Sequence, residues 1–216
     1  SPLGNEVLII EEKRIGLFKI GKELEELNEV KYDIDLSIQK IIVDTYGAEY
    51  FVLFSNGNLF KISSDELKLE KISELNSIID VAWSKNLNAI YAITSDKIMI
   101  VENEKVTSSI SLKEVPNSLS ILDNTYEIAV GFQSGNISLL SQNLKQLKLK
   151  TKISENKITS ITPHLEDPHL FIGDDLGYIY SLNTISKKIG KSKTEHKNQI
   201  SLSSIFSKNG SKINEY

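Results

Sequence analysis

Short apolar runs broken by small polar turns recur along this chain at a fixed interval. Five segments share one layout of apolar strand, tight polar turn and second apolar strand: NEVLIIEEKRIGLFKI, AEYFVLFSNGNLFKI, NAIYAITSDKIMIV, YEIAVGFQSGNISLL and PHLFIGDDLGYIYSL. Aligning their second strands puts Leu17, Leu59, Ile98, Ile137 and Ile179 in one column, with steps of 42, 39, 39 and 42 residues. A further apolar stretch precedes each later pair, at Ile38–Val43, Ile78–Trp83, Ser118–Leu122 and Ile158–Thr162, and a fifth follows the last pair at Ile200–Phe206. Its starts step by 40, 40, 40 and 42. Two independent columns with one period define an internal repeat.

The local chemistry predicts strands. Ile79, Val81 and Trp83, and likewise Ile128, Val130 and Phe132, alternate with their neighbours at period two. The turns Ser55-Asn56-Gly57-Asn58 and Gln133-Ser134-Gly135-Asn136 place Gly and Asn where a positive φ is cheap. A fourth, more polar strand is expected in each unit, such as Leu67–Ile72, Val106–Leu112 and Leu144–Ile153. Lys22–Val30 and Leu144–Lys152 also have helical leucine spacing, but the period leaves no room for a helix beside four strands.

Four strands every ~40 residues are the mark of a β-propeller blade. The expected fold is all-β, a propeller segment of about five four-stranded blades at roughly 1–37, 38–77, 78–117, 118–157 and 158–199, with 200–216 starting another. Ser1–Val7 and Ser207–Ile213 share the layout of a first-to-second-strand turn, so the chain is expected to be a piece of a larger propeller or a five-bladed ring. Ser1–Gly4 also reads as a cloning remnant, and the chain does not begin with Met.

Composition narrows the functional classes. Formal charge is −4, and Arg14 is the single arginine among 25 basic residues. A general nucleic-acid binder is therefore not expected, since guanidinium forks for phosphate or guanine are nearly absent. Apolar runs of four or five residues are too short for a membrane-spanning helix, which needs ~20. With no cysteine, the chain suits a reducing compartment, cytoplasm or nucleus. Charge is uneven: residues 183–216 hold seven lysines against Glu195 and Glu215, and residues 1–36 hold nine acids against five bases. Two solvated edges account for this, and a basic docking strip at Lys187, Lys188, Lys191 and Lys193 is the sharper alternative.

Catalytic chemistry finds little footing. His164 and His169 flank Glu166-Asp167-Pro168, a His-x4-His pair whose imidazoles and carboxylates suit zinc, but Pro163 and Pro168 mark a surface turn. Asp174-Asp175 occupies a strand-to-strand turn before Gly177, where Asp bonds nearby backbone amides. Phosphate-binding glycine loops are missing. Trp83 is expected in the core. No cofactor, metal or catalytic residue is expected, and a non-enzymatic protein-binding scaffold remains.

IIDVAWSKNLNAIYAITSD and HLFIGDDLGYIYSLN resemble the WD40-repeat family across an inner strand, turn and following strands. The likeness extends over the whole chain with degenerate motifs. Lys61-Ile62, Ile100-Val101 and Ser181-Leu182 stand where that family has Trp-Asp, and Glu195-His196 approximates its Gly-His. The resemblance implies that the buried His–Ser–Asp–Trp hydrogen-bond set is absent, so that apolar packing carries the blades. It also implies a partner face built from second-to-third-strand turns and the loops leading into inner strands. Arg14, Asn56, Asn58, Lys97, Gln133, Asn136, Asp175 and Tyr178 are its candidates, with Ser1–Gly4 and Ser207–Gly210 on the opposite face. The stretch from Asp80 to Ile200 is similar to late blades of the actin-interacting protein one family, on Gly173, Asp174, Gly177, Lys188, His196 and Ile200. That implies actin with cofilin as partners; a ribosome-biogenesis or nuclear-pore scaffold is the alternative.

Overall fold

The computed structural model describes residues 6–11, 14–31, 37–45, 48–63, 65–72, 75–164 and 167–193. Those residues form five antiparallel sheets, each a meander taken in chain order. Sheet 1 contains β1 (Glu6–Glu11), β2 (Arg14–Ile20) and β3 (Leu24–Lys31). Sheet 2 contains β4 (Ile38–Val43), β5 (Glu49–Phe54), β6 (Leu59–Ser63) and β7 (Leu69–Lys71). Sheet 3 is β8 (Asp80–Ser84), β9 (Ala89–Ile93), β10 (Lys97–Glu102) and β11 (Lys105–Ser111). Sheet 4 is β12 (Pro116–Leu122), β13 (Glu127–Phe132), β14 (Asn136–Ser141) and β15 (Leu147–Lys152). Sheet 5 is β16 (Ile158–Pro163), β17 (His169–Asp174), β18 (Tyr178–Asn183) and β19 (Ile189–Lys193). Sheets 1–3 belong to one compact unit, residues 1–113, and sheets 4 and 5 to a second, residues 114–216.

The four-stranded repeat stands, with corrections. Sheet 1 has three strands among the described residues, where a full four-stranded set was expected. Both segments with helical leucine spacing are strands, β3 and β15. β7 is shorter than expected because Leu67 sits in the preceding turn at φ 50°, fully buried, which no extended strand permits. β1 begins by Glu6, so Val7 lies in a strand and not in the anticipated turn. The anticipated strand at Ile200–Phe206, the turn at Ser207–Ile213 and His196 lie outside the described residues.

Why the sheets stack follows from their central strands. In β5 every residue from Tyr50 to Phe54 is buried. Tyr50, Val52 and Phe54 join Ile15 and Leu17 of sheet 1 in one apolar cluster. Phe51 and Leu53 join Val81, Ile90, Ala92 and Met99 of sheet 3 in another. Period two is thus preserved, but both faces are apolar, so one strand serves two neighbouring sheets. β9 and β13 are buried on both faces as well. Simple apolar–polar alternation fails at these positions for that reason. Outer strands such as β11 and β15 meet solvent and read mostly polar. In the second unit Leu122, Ala129 and Ile137 of sheet 4 pack with Ile161, Ile172 and Leu182 of sheet 5.

Polar contacts set the register between stacked sheets. Each of β4, β12 and β16 carries a bulge one residue in, at Gln39, Asn117 and Thr159. The Gln39 amide donates to the Ile79 carbonyl of the next sheet at 2.6 Å, and Asn117 donates to Ile158 at 2.8 Å. Lys40 pairs with Asp80 at 2.7 Å, and Lys61 bridges Glu49 of its own sheet and Glu104 of the next. The hydrogen bond with Glu104 raises the Lys61 pKa against the opposing effect of burial, with Glu49 adding to the rise. Trp83, expected in the core, is half-buried and packs against the cluster shared by sheets 2 and 3: it stacks on Phe51 at 5.7 Å and its indole donates to Thr45 at 3.0 Å.

The turns between second and third strands repeat one geometry. Gly57, Gly135 and Gly177 have φ of 77°, 79° and 81°, and each amide donates to the carbonyl three residues back. A Cβ on Gly135 would lie 1.9 Å from the Ser154 carbonyl oxygen. Gly135→Ala is therefore expected to cost about 2–3 kcal/mol through the left-handed backbone and the backbone clash together. Gly21→Ala, whose Cβ meets only the Glu23 oxygen at 3.5 Å, should stay within about 0.5 kcal/mol. Urea denaturation of the two variants beside the parent checks both.

Candidate partner-binding site

In sheets 2, 4 and 5 the second-to-third-strand turn is tied by its backbone to the residue leading into the first strand. Ser55 donates to the Ser37 carbonyl at 2.9 Å, Gln133 to Val115 at 3.0 Å and Asp175 to Lys157 at 3.1 Å. Each of these sheets thus brings a turn and a lead-in loop to one end, on a rigid scaffold.

The side chains named from sequence divide into two kinds there. Some are spent inside their own blade. Arg14 pairs with Glu26 at 2.5 Å and Glu29 at 2.7 Å, both on β3. The Asn56 side-chain oxygen accepts the Asn58 amide at 3.0 Å, which closes the turn. Asn136 donates to Glu114 at 2.7 Å. Lys97 is half-buried at the start of β10, and its carbonyl accepts the Thr94 amide. Others project: Gln133 and Asp175 are exposed. Tyr178 is half-buried, with the Lys191 ammonium 4.0 Å from its ring centroid.

That last contact joins two surfaces that the sequence kept apart. Register pairs Tyr180 with Lys191 and Tyr178 with Lys193, so β18 and β19 bring the tyrosines and the basic strip onto one hairpin. Lys187 and Lys188 stand at its turn, with the Lys187 amide bonded to Asn183 and the Lys188 carbonyl accepting from Asn183.

Sheets 4 and 5 also hold polar centres, one of which extends the turn role expected of Asp174 and one of which, at Glu114, sequence reading missed. Asp174 is fully buried, and five donors reach its carboxylate. Ser154 at 2.7 Å, Asn156 at 3.1 Å and the Tyr180 hydroxyl at 3.1 Å bond one oxygen, while the Leu176 and Tyr178 amides bond the other. Burial by itself would raise its pKa, but the bonds from Ser154, the Tyr178 amide, Asn156 and Tyr180 outweigh it and hold it below the ordinary value. The expectation that apolar packing alone carries the blades is thus overturned here. The acid is a structural hub, with both oxygens occupied.

Glu114, in the loop before β12, accepts from Ser134 and Asn136 and pairs with Lys150. The bond from Lys150, then that from Ser134, brings its pKa down to about 2 against the cost of burial. Leu176 is the other omission, 55% exposed at the turn position that holds Asn56 and Ser134 in sheets 2 and 4. An apolar residue in a polar column was the signal available.

The two described histidines, His164 and His169, serve local structure. His164 accepts the Asp167 amide at 2.9 Å, and the His169 ring lies 3.2 Å from the Asn183 amide nitrogen. Among the described residues no three His, Asp or Glu side chains converge as metal ligands.

No protein-family model matches this chain, and no curated protein matches it by sequence. Among solved structures it is similar to the crystal structure of Chaetomium thermophilum Sqt1 bound to the N-terminus of the ribosomal protein L10. The TM-score is 0.68 at 13% identity, over 91% of this chain and 60% of that one. The fold is a β-propeller segment of WD40-like blades, and the chain spans about three-fifths of the length of the Sqt1 chain.

Two outcomes follow. Asp174→Asn should cost roughly 2–3 kcal/mol in urea melts, because an amide offers one acceptor oxygen to five donors and turns an NH2 toward some of them. A glutamate in an unfolded chain titrates near ~4.3, so stability from the Glu114 carboxylate is complete above that value and is lost as pH falls toward about 2. Glu114→Gln should flatten that part of the acid unfolding profile.

Proposed function

We propose that this chain is a non-enzymatic scaffold that binds a protein partner through turns displayed at one end of its blades, within a cytoplasmic or nuclear assembly. The observation that carries the reading is the repeated backbone tie between turn and lead-in loop in sheets 2, 4 and 5. It holds each turn rigid while the side chains differ from blade to blade: Asn56, Ser134 and Leu176 occupy one column, Asn58, Asn136 and Tyr178 the next but one. A fixed backbone with variable side chains favours recognition of a protein surface.

The non-enzymatic part is supported by the state of the acids. Asp174 has both oxygens saturated by structural donors and Glu114 is held as an anion, so neither is poised to exchange a proton near neutral pH. Leu176 offers an exposed apolar contact at this end of sheet 5, and Tyr178 beside it is of the aromatic type that interface hot spots favour.

Ribosomal protein segments are the first partners to test, because Sqt1, which has the same fold, is seen bound to the N-terminus of a ribosomal protein. Actin with cofilin is the competing partner set, and nuclear-pore proteins a third.

Affinity purification of the tagged chain from its source cell, followed by mass spectrometry, separates these. Ribosomal proteins are expected in the parent sample and depleted several-fold by Leu176→Glu, an exposed change that leaves the blade intact. Actin and cofilin would select the competing set. Equal recovery from parent and Leu176→Glu samples would remove this end of sheet 5 from the interface.

A further inference from the structure

Between Leu176 and Lys193 there are four lysines and no aspartate or glutamate. Several lysines on other strands are neutralised in place. Lys61 meets Glu49 and Glu104, Lys148 meets Glu127 at 3.1 Å, Lys150 meets Glu114 and Lys152 meets Glu155 at 3.2 Å. Among the described residues, Lys187, Lys188 and Lys191 have no carboxylate at ion-pair distance, and all three are exposed. The β18–β19 hairpin thus carries uncompensated positive charge.

That charge sits on a strand with an open edge. β19 is the last strand of sheet 5, and its outer side pairs with nothing among the described residues. Edge lysines commonly deter aggregation, but two features here favour capture. The Lys191 ammonium is held over Tyr178 at 4.0 Å and reaches Tyr180 at 5.4 Å, so its position is set before any partner arrives. Ile189, 44% exposed, lies two residues along the same strand and offers an apolar contact.

We infer that the outer edge of β19 binds an acidic, extended segment of a partner protein, which adds as a fifth strand with carboxylates at alternate positions. Residues two apart on a strand lie about 7 Å apart on one face, so the register positions of Lys191 and Lys193 match an acid-x-acid spacing. Main-chain bonds supply affinity and the lysines supply selectivity. A peptide fits better than a nucleic acid. The hairpin has no arginine, and one face of the Tyr178 ring is already occupied by the Lys191 ammonium. The inference rests on the reading of the chain as a protein-binding module, and it adds the chemistry of a partner.

The test is fluorescence anisotropy of the 216-residue chain with a short labelled peptide that alternates glutamate with valine or serine. Binding is expected to weaken steeply with salt. It should fall at least about tenfold with Lys191→Glu and several-fold with Lys188→Glu, and also when a central proline removes a main-chain donor from the peptide. Hydrogen exchange should slow at residues 189–193 on binding. The inference is overturned if the peptide does not bind, if Lys191→Glu and Lys188→Glu both bind it unchanged, or if single-stranded DNA or phosphatidylserine vesicles bind more tightly than the peptide. Failure of the peptide alongside Leu176-dependent recovery of a cellular partner would sink the β19 edge and leave the scaffold reading standing.

Discussion

Everything in this fold depends on the central strand of a sheet being apolar on both faces. β5 shows the constraint most fully, because alternate side chains enter two separate clusters, one shared with sheet 1 and one with sheet 3. A strand buried on both faces cannot stand in an isolated sheet, so each blade requires neighbours to cover it. The outer strands inherit the opposite condition. They face water, and polar or charged side chains can be placed there without loss of packing. The division between a fixed interior and a free exterior is therefore built into the chain at a forty-residue period.

Hydrogen-bonded polar groups appear where stacking alone does not specify position. The amide bonds from Gln39 and Asn117 fix where one first strand lies along the next, since each reaches a single carbonyl. Asp174 does comparable work within sheet 5, gathering a turn, a loop and the β18 tyrosine around one carboxylate. Such groups add little net stability when satisfied and are costly when broken. Their role is uniqueness of arrangement more than strength.

The repeat was readable because the same column recurs in structure. Leu59, Ile98 and Ile137 are fully buried, Leu17 nearly so, and Ile179 half-buried at the matching register of sheet 5. Turn glycines were readable too, since positive φ limits the residue choice. Other features were hidden for physical reasons. Bulges at Gln39, Asn117 and Thr159 depend on pairing, which one strand's composition does not encode. The Asp174 hub draws on Ser154, Asn156 and Tyr180, which no local pattern links. Leu67 and Leu144 adopt positive φ while buried, because tertiary burial outweighs the backbone preference. Tyr178 and Lys191 fell into two rival surfaces until the cross-strand register brought them together.

The amide bonds between first strands also bear on how such a chain can change length. Gln39 reaches a residue 40 positions ahead, and Asn117 one 41 ahead. Both donors sit at the bulge of a first strand, and both acceptors lie at the start of the first strand one unit on. Duplicating or deleting one whole unit changes the chain by about that same span, so the distance from a donor to the start of the following first strand is kept. A partial insertion within a strand shifts one partner without the other. Gene duplication by whole blades is therefore compatible with this architecture, whereas smaller length changes are confined to the loops.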